Sequence, residues 1–213
     1  MDSLAVLIQS LRHQGFSLVE LLLAASLGLL ILAVTIQALL GEHRLGRELG
    51  GLLRQRQQLQ RANALIAADL RRALALAVDP LAPRHQRPCS LAGRQSVLHL
   101  DEPNGVSTIY SVGPAPSAIW RGWVLMRCGQ AFGRDGLINP GSTAQNRVVL
   151  DGLDAQPSRW SGCALPAATV ISGSAGLPLA ACMEQATGLV QWQLSLRLGL
   201  RQLQGGGSAL ING

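Results

Sequence analysis

The first long pattern in the chain is an unbroken apolar run. Phe16 to Leu40 is 25 residues, and Glu20 is the only charged one. At about 1.5 Å per helical residue the run covers the roughly 30 Å of a bilayer core. A secretory signal would have a core of only about 7–15 apolar residues and a small-x-small cleavage site. This run is longer, and no A-x-A closes it. Beyond it, Leu45, Leu49, Leu52, Leu59, Ile66, Leu70 and Leu74 recur three, four or seven residues apart, which marks one face of a helix. Arginines and glutamines fill the wetter positions between them, and Asp69 is placed to pair with Arg72 at i,i+3. Gly41, Gly46, Gly50 and Gly51 each cost a helix about 1 kcal/mol relative to alanine, so a kink or melted turn is expected there. Asp79-Pro80 closes the pattern, because the residue before proline avoids the α region. The reading is one helix from Phe16 to about Val78, roughly 95 Å long. Residues 16–40 form its membrane or assembly half, and 41–78 its amphipathic continuation.

Residues 79–213 read differently. Short β-like runs recur at Ser96–Leu100, Val106–Val112, Ala118–Arg127, Arg147–Leu150, Thr169–Ser172 and Leu189–Leu200. Pro103-Asn104-Gly105 and Asn139-Pro140-Gly141 punctuate them. In the last run Val190, Trp192, Leu194, Leu196 and Leu198 alternate with polar residues, as in a half-buried strand. Asn104-Gly105 is a hairpin signal. Trp120 and Trp123 are expected on opposite faces of one strand. Gly205-Gly206-Gly207-Ser208 reads as the start of a flexible tail. The pattern predicts an α+β chain with a β-rich head.

Charge and cysteine content narrow the setting. Net charge is +6, and all 18 basic side chains are arginine. Seven arginines lie from Arg44 to Arg72. Such a cluster suits phosphate contacts, but no aromatics are interleaved for base stacking, so a solvated helix face is the favoured reading and nucleic acid the lesser one. The four cysteines, Cys89, Cys128, Cys163 and Cys182, all follow the apolar run and lack CxxC spacing. That argues against zinc and for two disulfides in an oxidising compartment. Three pairings are open. One of them would close a loop between Cys163 and Cys182, a staple or a partner-recognition loop.

No catalytic set emerges. His85 and His99 lack an H-x-H or HExxH context, Ser161-Gly162-Cys163 is not a nucleophile elbow, and neither a GxGxxG nor a P-loop occurs. No catalytic residue, cofactor or metal is expected, and the chain is not read as an enzyme.

Glu20 remains the anomaly. A carboxylate in a spanning helix costs on the order of 3 kcal/mol near the centre, less near an end, and usually has a partner. At the least it complements the helix macrodipole. Its setting is specific: Gly15-Phe16-Ser17-Leu18-Val19-Glu20 ahead of an apolar helix resembles the processing motif of type IV prepilins and type II secretion pseudopilins. Gln14 departs from the basic residue often found there, and Arg12 and His13 supply charge nearby. RANALIAADLRRALALA, through Leu65, Asp69, Leu70, Arg71 and Ala73, resembles J-type pseudopilins and PilW-like minor pilins. NRVVLDGL at 146–153 adds to this likeness.

The resemblance implies a pilin-like fold, with a long N-terminal helix packed against a mainly antiparallel sheet. It implies a leader at residues 1–15, cut between Gly15 and Phe16 by a prepilin peptidase that then methylates the Phe16 amine. Glu20 becomes the fifth residue and neutralises such an amine during assembly. The implied partners are that peptidase and methyltransferase, other pilins or pseudopilins, and inner-membrane lipid. The head would be periplasmic before the subunit initiates or caps a pilus or pseudopilus. A DNA-binding competence-type pilin and an anchored periplasmic domain of other function are the rival readings.

Overall fold

The computed structural model describes residues 17–82, 88–103, 105–160, 162–163, 165 and 167–212, with the side chains of 40–48 also outside the description. Gly15, Phe16, His85, Asn104 and Ser161 therefore lie outside the described residues. The chain divides into two compact units, Met1–Arg54 and Gln55–Gly213. The second is called the head below.

One helix, α1, runs from Leu18 to Arg72. It stays helical through Gly41, Gly46, Gly50 and Gly51, so no turn melts there. Leucine, arginine and glutamate, all strong helix formers, flank these glycines. α1 ends at Arg72, short of the expected Val78, because the next residues leave helix for sheet. Ala75–Leu76 form a short strand, β1, and Leu74 N–H donates to Asp101 O at 2.8 Å. Sheet pairing ends the helix before proline does.

The remaining strands are β2 (Gln95–Asp101), β3 (Ser107–Pro114), β4 (Trp123–Gly129), β5 (Gln145–Leu153), β6 (Thr169–Val170), β7 (Leu179–Glu184), β8 (Leu189–Leu198) and β9 (Arg201–Leu210). They make one sheet ordered β1-β2-β3-β4-β5-β8-β7-β6, with β9 also on β8. Every pairing is antiparallel. The sheet curls until its ends meet: Ser172 N–H, after β6, donates to Val78 O, after β1, at 2.9 Å.

In the head, α1 buries Leu59, Ala62, Ile66, Ala67 and Leu70, with Ala73 just after it, against Leu98, Leu100, Val112, Leu125, Leu194 and Leu196 of the sheet. Leu74, expected on this face, is half exposed, as is Leu49. Alanines at 62, 67 and 73 let helix and sheet approach closely, so the apolar stripe is read from small residues as well as large ones.

Three sequence expectations need correction. The strand expected from Ala118 begins at Trp123. Trp120 sits in the preceding turn, at the margin of exposure, while Trp123 packs against the core. The segment Leu179–Glu184, read as loop, is a buried strand paired along its length with β8. The glycine tail is not a tail: Gly205, Gly206 and Gly207 lie mid-strand in β9, opposite Leu194, Gln193 and Trp192. An added Cβ at Gly205 would lie 2.6 Å from Leu59 Cδ2, and one at Gly207 2.7 Å from Trp192 Cζ2. Glycine is required there for close approach, which sequence alone does not separate from flexibility.

Candidate functional site

The first candidate is the start of α1. Ser17 Oγ accepts from Glu20 N–H at 3.2 Å, and a Glu20 carboxylate oxygen accepts from Ser17 N–H at 3.1 Å. This reciprocal pair is a capping box, satisfying two backbone donors that a helix start leaves without partners. Glu20 therefore has a local task at the helix start. Leu18–Leu39, 22 residues, is long and apolar enough to cross a membrane, and none of it is buried. A soluble core helix of that composition would be buried. The hydroxyls within it are satisfied internally, Ser26 Oγ donating to Leu23 O at 2.9 Å and Thr35 Oγ1 to Leu32 O at 2.8 Å. Internal satisfaction is what a hydrocarbon surrounding demands.

The cysteines pair Cys89–Cys128 and Cys163–Cys182, which leaves one of the three open arrangements. Two disulfides fit an oxidising compartment. Both bridges tie irregular chain to a strand, Cys128 lying on β4 and Cys182 on β7. Among the arginines of α1, Arg54, Arg56, Arg61 and Arg71 are exposed. The side chains of Arg44 and Arg47 lie outside the described residues. His99 is buried, with Nε2 3.4 Å from Asp101 Oδ1. Among the described residues no three His, Cys, Asp or Glu side chains converge to hold a metal ion.

The largest concentration of polar chemistry is one the sequence reading missed. Asp69 is fully buried, not a surface partner of Arg72 alone. Tyr110 Oη donates to Asp69 Oδ2 at 2.5 Å. Arg127 grips the same carboxylate bidentately, Nε to Oδ2 at 2.6 Å and Nη2 to Oδ1 at 3.2 Å. Arg72 donates to Oδ1 as well. Arg127 Nη1 reaches Gln130 O at 2.9 Å, and Thr108 Oγ1 donates to Glu102 at 2.5 Å. The Phe132 ring lies 4.9 Å from the Arg127 guanidinium carbon and 5.4 Å from that of Arg72, within cation–π range. The cluster fastens α1 to β3, β4 and the 130–132 segment. Sequence carried a trace of it: Asp69 lies three residues after Ile66 and four before Ala73, at a core position.

Burial first, then the charge of Asp69 and its hydrogen bond, raise the Tyr110 pKa well above the ordinary tyrosine value. Burial alone would lower Arg127, but the hydrogen bond and charge of Asp69 outweigh it and raise its pKa. The Tyr110 shift has a clean readout, since this chain has one tyrosine and, all 18 of its basic side chains being arginine, no lysine. Native Tyr110 keeps its proton at a pH where the unfolded tyrosine, of pKa about 10, has lost it. The native state then binds more protons, so stability is full below about pH 10 and falls as pH rises above it. Unfolding in urea from pH 8 upward should show that fall in the native sequence and a flatter profile in Tyr110→Phe. Parallel profiles would contradict it.

A scan against protein-family models, a search of curated proteins and a search of solved structures each find no match to this chain. What fold and sites define is a class: an apolar N-terminal helix able to span a membrane, followed by a disulfide-bonded α+β head with a curled antiparallel sheet.

Proposed function

We propose that this chain is a minor pilin or minor pseudopilin: a structural subunit matured between Gly15 and Phe16, methylated on Phe16, and built into a type IV pilus or type II secretion pseudopilus. The observation that carries the reading is Glu20, an acid inside an otherwise uncharged apolar helix, five residues after Gly15. Cleavage there would create a cationic amine at Phe16 beside that helix. In low dielectric, opposite charges a few ångströms apart attract far more strongly than in water. A Glu20 carboxylate meeting the amine of a neighbouring subunit would fix one axial register between helices. The exposed apolar surface of Leu18–Leu39 would serve first in the inner membrane and then in the filament. The disulfides suit a periplasmic head.

The test is intact mass and N-terminal sequencing of the full chain expressed with and without a prepilin peptidase. The expected product is a chain starting at methylated Phe16, only when the peptidase is present. Retention of residues 1–15, or a cut beyond the apolar run, would end this reading. In the processed protein, Glu20→Gln is expected to leave cleavage intact and abolish recovery of the subunit in sheared filaments. Wild-type recovery of that variant would remove the assembly role.

A further inference from the structure

On the face of the sheet turned away from α1 lies a cleft of about 660 Å³. Its floor is Met126 of β4 and Val148 of β5, which are paired in register. Its walls are the β3–β4 connection, with Pro114, Pro116 and Trp120, and on the other side Arg94. The size lies within the range typical of small-ligand pockets, and so does a mostly apolar lining with few polar groups.

Arg94 is the unusual element. It is only 8% exposed, its Nε is buried without a hydrogen-bond partner, and among the described residues no acidic side chain pairs with it. Burial lowers its pKa with no neighbouring charge to oppose the effect. A buried N–H without an acceptor is costly, and buried polar groups normally find a partner. The contrast with Arg127 is sharp, because that arginine, also buried, holds Asp69 bidentately.

The cost is maintained by construction. The segment carrying Arg94 is stapled to the floor strands by the Cys89–Cys128 disulfide and by Asn146 Nδ2 donating to Ser90 O at 2.8 Å. Ala92, in the turn that delivers Arg94, has φ +46°, a left-handed conformation that alanine rarely adopts. Gly113 lies so close to Arg94 that an added Cβ would sit 2.8 Å from Arg94 Cγ. Strained backbone held by surrounding structure tends to cluster at ligand sites.

We propose that this cleft binds a carboxylate attached to an apolar group, the carboxylate pairing with Arg94 and the apolar group lying between Trp120 and Met126. A guanidinium matches a carboxylate in a planar two-point contact. One arginine with an apolar lining suits a monoanion better than a multiply charged phosphate. The same chemistry is offered by a free short-chain acid and by the C-terminus of a polypeptide ending in an apolar residue. The proposal does not depend on the pilin reading.

The experiment uses the full chain in detergent and follows the Trp120 indole N–H resonance, assigned through Trp120→Phe. Four probes are titrated: isovalerate, its neutral twin 3-methylbutanamide, and a short peptide ending in leucine with a free or an amidated C-terminus. The expected result is a saturable shift of the Trp120 resonance with at least one acid and not with its amide. Isovalerate binding points to a free acid, whereas binding confined to the free-ended peptide points to a protein terminus. Arg94→Gln is expected to weaken binding at least tenfold. The fold should survive that change, because it removes a buried donor that has no acceptor; retained melting temperature checks this. As a second measurement independent of the variant, the binding acid should raise the melting temperature of the native chain and its amide should not. Equal response to acid and amide, acid binding that persists in a folded Arg94→Gln, or no response to any probe would overturn the proposal.

Discussion

Replacing Asp69 by asparagine is expected to destabilise the head by about 3–5 kcal/mol, the cost of leaving a buried ion-pair partner uncompensated. Arg127 would keep its charge among Tyr110, Thr108 and Gln130 with no carboxylate to receive it. Domains of this size are stable by only about 5–15 kcal/mol, so the loss is a fifth or more of the total. Denaturant midpoints of the full chain in detergent measure it, followed by the near-ultraviolet signal of the head. A double substitution, Asp69→Leu with Arg127→Met, should recover much of the loss, because replacing a whole buried pair with apolar groups is often nearly neutral. If Asp69→Asn unfolds at the native midpoint, the cluster is not what holds α1 to the sheet.

The second large effect is expected at Gly206. A Cβ there would collide with the carbonyl oxygen of Trp192 on the neighbouring strand. The obstacle is backbone, so no side-chain rotation relieves it. Gly206→Ala should cost at least the roughly 1–3 kcal/mol of an overpacked site, and β9 should yield before β8 does. Hydrogen exchange reads the outcome directly. In the native chain the amides of Arg201–Leu210 that bond to β8 should be protected. In the variant they should exchange much faster, while β2, β3 and β4 stay protected. Rapid exchange of β9 in the native chain would instead restore the flexible-tail reading.

Much of the architecture was legible because it obeys simple periods. The apolar run becomes α1, and Val190, Trp192, Leu194 and Leu196 are buried on β8 as their alternation requires. The Asn104-Gly105 signal marks a true hairpin between β2 and β3, with Gly105 at φ +69°. What stayed hidden depended on contacts between distant residues. Nothing local to Asp69 reveals that Tyr110 and Arg127, 41 and 58 residues further on, meet it. β7 was obscured because its run is short and mostly falls inside the segment closed by the Cys163–Cys182 bridge. The glycines of β9 were misread because small residues allow either freedom or intimate packing, and only Leu59 and Trp192 decide which. Arg94 carries no signal in the sequence, since burial of a single side chain leaves no periodic trace.

The Ser17–Glu20 box has a consequence for the order of events at the N-terminus. Among the described residues, the hydrogen bonds at the start of α1, the Ser17–Glu20 pair and Leu21 N–H to Ser17 O at 3.1 Å, lie on the C-terminal side of the Gly15–Phe16 bond. Severing that bond would leave these three hydrogen bonds in place, with the peptide linking Phe16 to Ser17 intact. For these bonds, helix capping and the proposed proteolysis would be separable steps, since a cut between Gly15 and Phe16 would remove none of them.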